Sequence, residues 1–191
     1  MAGDLHPLIE TAAREARLPE WAACGPTRRE HAARVAELLD SWARELSLSE
    51  RERRRWRAAG HLHDALKDAP PAELRPIVGP GWPESLLHAP ACAARLEQEG
   101  VRDAELLTAI AHHSTGHPDF ETLGESLYLA DFLEPGRPDP TGERARLRER
   151  LPGDRVEVLA RVMALRIHHL LERRRAILPA TLGLWNRLAA S

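Results

Sequence analysis

Ahead of three apolar stripes in this chain a hydroxyl residue stands three positions before a glutamate: Thr27/Glu30, Ser49/Glu52 and Thr122/Glu125. That is the spacing of a capping box, in which hydroxyl and carboxylate satisfy the backbone N–H groups that a helix start leaves free. An apolar stripe of helical period follows each one. After Pro26, the residues His31, Val35, Leu38, Trp42 and Leu46 recur at three- and four-residue steps. After Ser49, the stripe is Trp56, Ala59, Gly60 and His63, and the helix runs until Pro70 and Pro71 stop it. After Thr122 it is Leu123, Leu127, Ala130 and Asp131, as far as Glu134 and Pro135. Asp103 predicts a cap for a further helix with Leu106, Ile110 and His113 on one face and Ser114-Thr115-Gly116 at its end. Helices are also expected over 84–99 and from 154 to about 174, the latter with Val156, Ala160, Met163, Ile167 and Leu170 inward, and a short one after Pro179. The reading is all-α.

Composition supports one helical bundle. Aromatics make up 4% of 191 residues, and alanine, leucine, arginine and glutamate dominate over β-branched residues. A chain of this length that is 43% hydrophobic can bury a single core. With 27 basic against 29 acidic residues, the net charge of -2 gives no global attraction to nucleic acid or to an anionic membrane. No apolar run approaches the roughly 18 residues of a membrane span, no leader precedes Leu5, and the two cysteines, Cys24 and Cys92, fit a reduced cytoplasmic protein. Between Pro70 and Pro83 the sequence reads as a loop over a site, carrying Trp82 and at most a short helix near 73–78.

The stripes carry an anomaly. His31, His63, His113 and Asp131 fall on inward faces of four helices, and a carboxylate buried among helices needs a cation or hydrogen bonds to compensate it. One such histidine is an ordinary core residue; four such groups together point to a shared divalent metal. Asp64, next to His63, cannot share its stripe and reaches sideways, as a bridging carboxylate does. Pro90 leaves the orientation of His88 open. His112 competes with His113, and the stripe favours His113. Lys67, one turn beyond His63 and Asp64, either meets a metal-held phosphate or pairs on the surface with Asp68. Ser114, Thr115 and Gly116 would place hydroxyls and free backbone N–H groups beside the metal, and Arg137 either swings back toward phosphates or stays in solvent.

The words Gly60-His-Leu-His-Asp-Ala-Leu-Lys67, Leu86-Leu-His-Ala-Pro90, Ala109-Ile-Ala-His-His-Ser-Thr-Gly116 and Tyr128-Leu-Ala-Asp-Phe-Leu-Glu-Pro135 resemble the YqeK family of HD-domain bis(5'-nucleosyl)-tetraphosphatases. A weaker match is Ile177-Leu-Pro-Ala-Thr with Trp185-Asn186. The resemblance implies a single compact HD-domain helical bundle over 1–191, with a metal-binding core at about 27–135 on which C-terminal helices 143–191 pack. It implies His31, His63, Asp64 and Asp131 as the defining ligands, His88 and His113 as holders of a second ion, and iron as the favoured metal, with manganese, cobalt, nickel or zinc as alternatives. It implies symmetrical cleavage of diadenosine tetraphosphate to two ADP, with Asp64 and Lys67 catalytic and Lys67, Thr115, Gly116 and Arg137 on the nucleotide; a homodimer is possible. The chain departs from the family pattern at His117, Phe120 and Glu125. Other HD chemistry (a nucleotidase, a deoxynucleoside triphosphate hydrolase, a cyclic nucleotide phosphodiesterase) and a nucleotide-binding regulator with little turnover remain the alternatives.

Overall fold

The computed structural model describes residues 4–190; residues 1–3 of the segment read as free of a leader, and Ser191, lie outside it. Ten α-helices and no strand occur among the described residues: α1 (Pro7–Glu15), α2 (Pro26–Glu45), α3 (Glu50–Leu62), α4 (Pro71–Val78), α5 (His88–Gln98), α6 (Ala104–His112), α7 (Thr122–Leu133), α8 (Glu143–Glu149), α9 (Arg155–Glu172) and α10 (Pro179–Ala189). A single 3-10 turn, Glu84–Leu86, precedes α5. Helix α7 is buried on every side, including Leu123, Leu127, Tyr128, Leu129, Ala130 and Asp131. A helix apolar all round belongs at the centre, and α2, α3, α6, α8 and α9 pack against it. No helix among the described residues is long and apolar enough to cross a membrane.

Helices α2 and α3 form an antiparallel pair around Val35, Leu39, Trp42 and Trp56. Their crossing is set by Gly60, where a Cβ would stand 2.5 Å from the Ala36 Cα. The backbones therefore approach more closely than any residue with a side chain allows, bringing His31 on α2 toward His63 at the end of α3.

Several local expectations are corrected. Of the three capping boxes, Ser49 behaves as expected and accepts from the Glu52 N–H (3.3 Å). Thr27 does not cap: Pro26 takes the first helical position, which needs no N–H, and Gly25 becomes the cap residue. Thr122 also lies inside its helix; Leu123 N–H is instead satisfied by Glu105 (3.0 Å), and Glu125 turns to Arg155 (2.8 Å) and Arg187 (2.6 Å). Helix α3 stops at Leu62 rather than at Pro70. A continuing helix would need the Ala65 carbonyl and the Asp68 N–H, but Ala23 N–H takes the first (2.8 Å) and Ala23 O the second (3.0 Å). Asp68 also accepts from Gly25 N–H (2.8 Å), so the turn 63–69 is strapped to the start of α2.

The helix expected over 84–99 starts at His88, which places Pro90 in its first turn, where a missing N–H costs nothing. In α9 the buried face is Val158, Leu159, Val162 and Met163, while Val156 is 48% exposed. The buried face is turned from the expected stripe, with Met163 common to both, and Arg155 and Arg166 on α9 reach Glu125 and Asp131. The 70–83 stretch is mostly α4, with a turn over Gly79 and Gly81, and Trp82 packs partly buried against the core.

Candidate metal centre

The turn after α3, the start of α5, the end of α6 and the last turn of α7 converge opposite α2. His31, His63, Asp64, His88, His113 and Asp131 are all brought together there, none more than 7% exposed. Two triads, His31/His63/Asp64 and Asp64/His88/His113, each offer three donor atoms within 4.8 Å of one another, and Asp64 belongs to both. His88 Nε2 and His113 Nε2 stand 3.2 and 3.3 Å from Asp64 Oδ1. His31 Nε2 stands 3.1 Å from Asp131 Oδ1.

Backbone carbonyls fix the direction of the lone pairs. His63 Nδ1 donates to Gly60 O (2.8 Å) and His113 Nδ1 to Ile110 O (2.9 Å), which turns each Nε2 toward the centre. The result is a convergence of acceptors: His63 Nε2 and Asp64 Oδ1 are buried with no hydrogen-bond partner. Such a pair is costly unless a cation lies between, and imidazole nitrogen with carboxylate oxygen is a donor set for a divalent ion. The residues therefore fit the metal that the sequence implied.

Charge states agree with that fit. Burial pushes the His63 imidazole down to about 4, so it is neutral at pH 7. Burial alone would raise the Asp131 carboxyl, but His31 and Arg166 outweigh it and hold it well below the usual carboxylate range.

The residues placed around the centre differ in what they reach. Lys67 Nζ lies 2.9 Å from His88 Nε2 and 3.6 Å from Asp64 Oδ1, and Asp68, its expected surface partner, faces Gly25 and Arg28 instead. Arg137 does swing back, onto Asp131 Oδ1 (2.5 Å) and Asp131 O (3.1 Å). His112 points away from the centre: its ring lies 4.3 Å from that of His117 and 5.5 Å from Trp82. The turn after His113 corrects one expectation, because the N–H groups of Thr115 and Gly116 both donate to His112 O (2.9 and 2.8 Å) and are not free. Ser114 and Thr115 face a neighbouring cavity, whereas Gly116, at φ +75°, packs on Leu184.

Sequence reasoning missed two groups. Glu134, 2% exposed, accepts from His31 Nδ1 (3.1 Å), Arg34 (2.5 Å) and Gly136 N–H (2.6 Å), and so fixes the ring that faces Asp131. Its signal was present: it lies three residues after Asp131, at the cap that ends α7. Arg166, on α9, donates to Asp131 Oδ2 (3.2 Å) and Ser114 O (2.8 Å), and nothing in its sequence neighbourhood marks it. Of the family departures, Glu125 joins α7 to α9 and α10 through its two arginines, and Phe120 is buried against Gly124.

Comparison with known proteins follows the same residues. The sequence pattern described as HD domain matches residues 28–144, a span that holds all six converging side chains. The chain belongs to the HD-domain family. Among HD relatives, the symmetrical bis(5'-nucleosyl)-tetraphosphatase of Halalkalibacterium halodurans is 31% identical over 141 residues, covering 68% of this chain and 73% of the relative. Its Staphylococcus aureus counterpart is 33% identical over 143 residues, 69% of each. That of Bacillus subtilis is 34% identical over 97 residues, 46% of this chain and 52% of the relative. The fold matches a Clostridium acetobutylicum crystal structure, described as a predicted HD superfamily hydrolase involved in NAD metabolism, with a TM-score of 0.76 over 98% of this chain and 99% of that one, at 24% identity.

Proposed function

We propose that this HD-family protein is a metal-dependent phosphohydrolase that splits diadenosine tetraphosphate symmetrically into two ADP. The observation that carries the reading is the setting of the two triads beside a cavity of about 850 Å³ whose wall is rich in guanidinium groups. Arg137, Arg144, Arg166, Arg173 and Arg175 line it. Its carboxylates are engaged elsewhere, Asp139 by the N–H groups of Arg144 and Ala145, and Glu143 by Arg161. Burial, with Arg137 and Arg166 close by, lowers the Arg144 pKa. A volume in the range of about 300–1,000 Å³ suits a nucleotide, and fixed cations suit its phosphates. The named activity of the Halalkalibacterium and Staphylococcus relatives supports the same substrate.

His31, His63, Asp64 and Asp131 would hold one ion, with His88 and His113 for a second around the shared Asp64; iron, manganese, cobalt, nickel and zinc all suit these donors. Bound metal would lower the pKa of water toward about 7 and polarise the phosphate. The protein's own groups supply the rest. Lys67, beside Asp64, and Arg137, beside Asp131, flank the triads and would neutralise an inner phosphate from either side. Ser114 and Thr115, directly after His113, line the cavity, where one nucleoside diphosphate half would lie. A substrate gripped at its inner phosphates presents its central P–O–P bridge to attack, so water oxygen bonds to one inner phosphorus and the other half leaves as the second ADP.

Early quenching of a reaction with metal-loaded protein in oxygen-18 water tests this. ADP alone, with one labelled oxygen per two ADP, is expected; AMP and ATP in equal amounts would refute it.

A further inference from the structure

Arg166 lies outside the stretch matched by the HD pattern, residues 28–144, yet it reaches the centre. It takes the next step of the α9 face that buries Val158, Leu159, Val162 and Met163, a place an apolar residue would ordinarily fill. Its side chain is 21% exposed, and that remainder opens to the cavity. A guanidinium set so deep is costly unless its charge and donors are matched. Here they are: Nη1 donates to Ser114 O (2.8 Å), Nη2 to Asp131 Oδ2 (3.2 Å), and the group lies over the Tyr128 ring, 4.4 Å from its centroid.

The two oxygens of Asp131 are thus used differently. Oδ2 is taken by Arg166, while Oδ1 faces His31 Nε2 at 3.1 Å and His63 Nε2 at 4.0 Å. Arg137, which also touches Oδ1, sits on a loop and is 38% exposed, so it is placed to leave for a phosphate; Arg166 is wedged between helices. Ser114 directly follows His113. One planar, rigid fork therefore joins the backbone beside a candidate ligand on α6 to the carboxylate of another on α7.

We propose that Arg166 is a positioning residue: it holds Asp131 Oδ2 and the Ser114 carbonyl together so that Oδ1 stays turned toward the metal, and α9 thereby completes a centre whose ligands come from α2 to α7. This rests on the metal reading above, not on the identity of the substrate.

The sign of the effect on metal affinity tests it. A guanidinium near a divalent cation repels it, so if Arg166 were only a neighbouring charge, Arg166→Met would tighten metal binding. If it aims Asp131, loss of the fork outweighs that repulsion and binding weakens on the order of ten-fold, the size typical for partners that orient a ligand. Arg166→Lys keeps the charge but not the two-pronged geometry, and it too should bind more weakly than wild type. The measurement is competition for Mn2+ between the full-length protein and a chelating dye, without nucleotide, on variants whose near-ultraviolet circular dichroism matches wild type. Tighter or unchanged binding in Arg166→Met overturns the proposal, and so does unchanged binding in Arg166→Lys, which decides alone if the methionine variant does not fold. No nucleotide is present, so the substrate assignment stands or falls in a separate experiment. A wild-type chain that takes up no Mn2+ overturns the metal reading and this proposal together.

Discussion

Gly60→Ala isolates the helix crossing on which the centre depends. The added Cβ would lie 2.5 Å from the Ala36 Cα, 2.7 Å from its N and 2.9 Å from its Cβ, all atoms of a neighbouring helix with no flexible end to move aside. Ordinary carbon contacts lie at roughly 3.5–4.0 Å, so α2 and α3 must part by about 1 Å. Overpacking of this kind costs up to about 3 kcal/mol. Alanine regains roughly 1 kcal/mol of helix propensity over glycine, which leaves a net loss of about 2 kcal/mol. For a chain of this size that is a fall in melting temperature of about 4–8 °C. Metal binding should suffer more than stability, because His31 and His63 come one from each of the two helices that must part, and metal–ligand distances tolerate only about 0.2 Å. Thermal melts with and without Mn2+ measure both: the midpoint falls, and the extra stability conferred by metal shrinks. A variant that melts at or above the wild-type temperature would refute the crossing argument, since propensity would then have outweighed the clash.

Asp64→Asn keeps the shape of the shared carboxylate and removes its charge; metal content by elemental analysis should drop below one-half ion per chain, with hydrolysis reduced on the order of a hundred-fold or more, and wild-type metal content refutes Asp64 as a ligand. His113→Ala should cost turnover and metal while His112→Ala leaves metal content unchanged, and the reverse result would show that the inward histidine was misassigned. Away from the centre, burial and Arg57 push the His61 imidazole down to about 4. A depressed folded-state pKa contributes stability that is complete above the unfolded value of about 6.5 and is lost as pH falls toward the folded value. His61→Gln should therefore flatten the decline in melting temperature between those pH values, and an unaltered slope excludes His61 as a source of acid lability.

The helices and four of the converging side chains were legible because burial follows period: His31, His63, His113 and Asp131 sit at stripe positions, and a stripe is a property of local sequence. Asp64 and His88 were less so. Asp64 lies in a turn made by a strap from residues 23–25, and His88 faces inward because α5 begins there, a shift that Pro90 permits but does not dictate. Glu134 and Arg166 were not read as part of the site, for opposite reasons. Glu134 could have been found from its spacing to Asp131. Arg166 could not: a charged residue at a helical period looks solvated until the neighbour that neutralises it is known, and that neighbour is 35 residues away. The failed caps at Thr27 and Thr122 have the same lesson at smaller scale, since Pro26 and Glu105 satisfied the helix starts by other means.

The strap between residues 23–25 and 65–68 also bears on how the molecule opens. Ala23, Gly25 and Asp68 exchange hydrogen bonds across it, so the turn that presents Asp64 and Lys67 cannot loosen while the first turn of α2 stays wound. Amide protons at these positions should exchange with solvent together and at one rate, as a single opening unit. Release of whatever the turn grips would then be gated by a segment that touches none of it, and lengthening the chain between Leu18 and Pro26 would change how long a bound ion stays rather than where it sits.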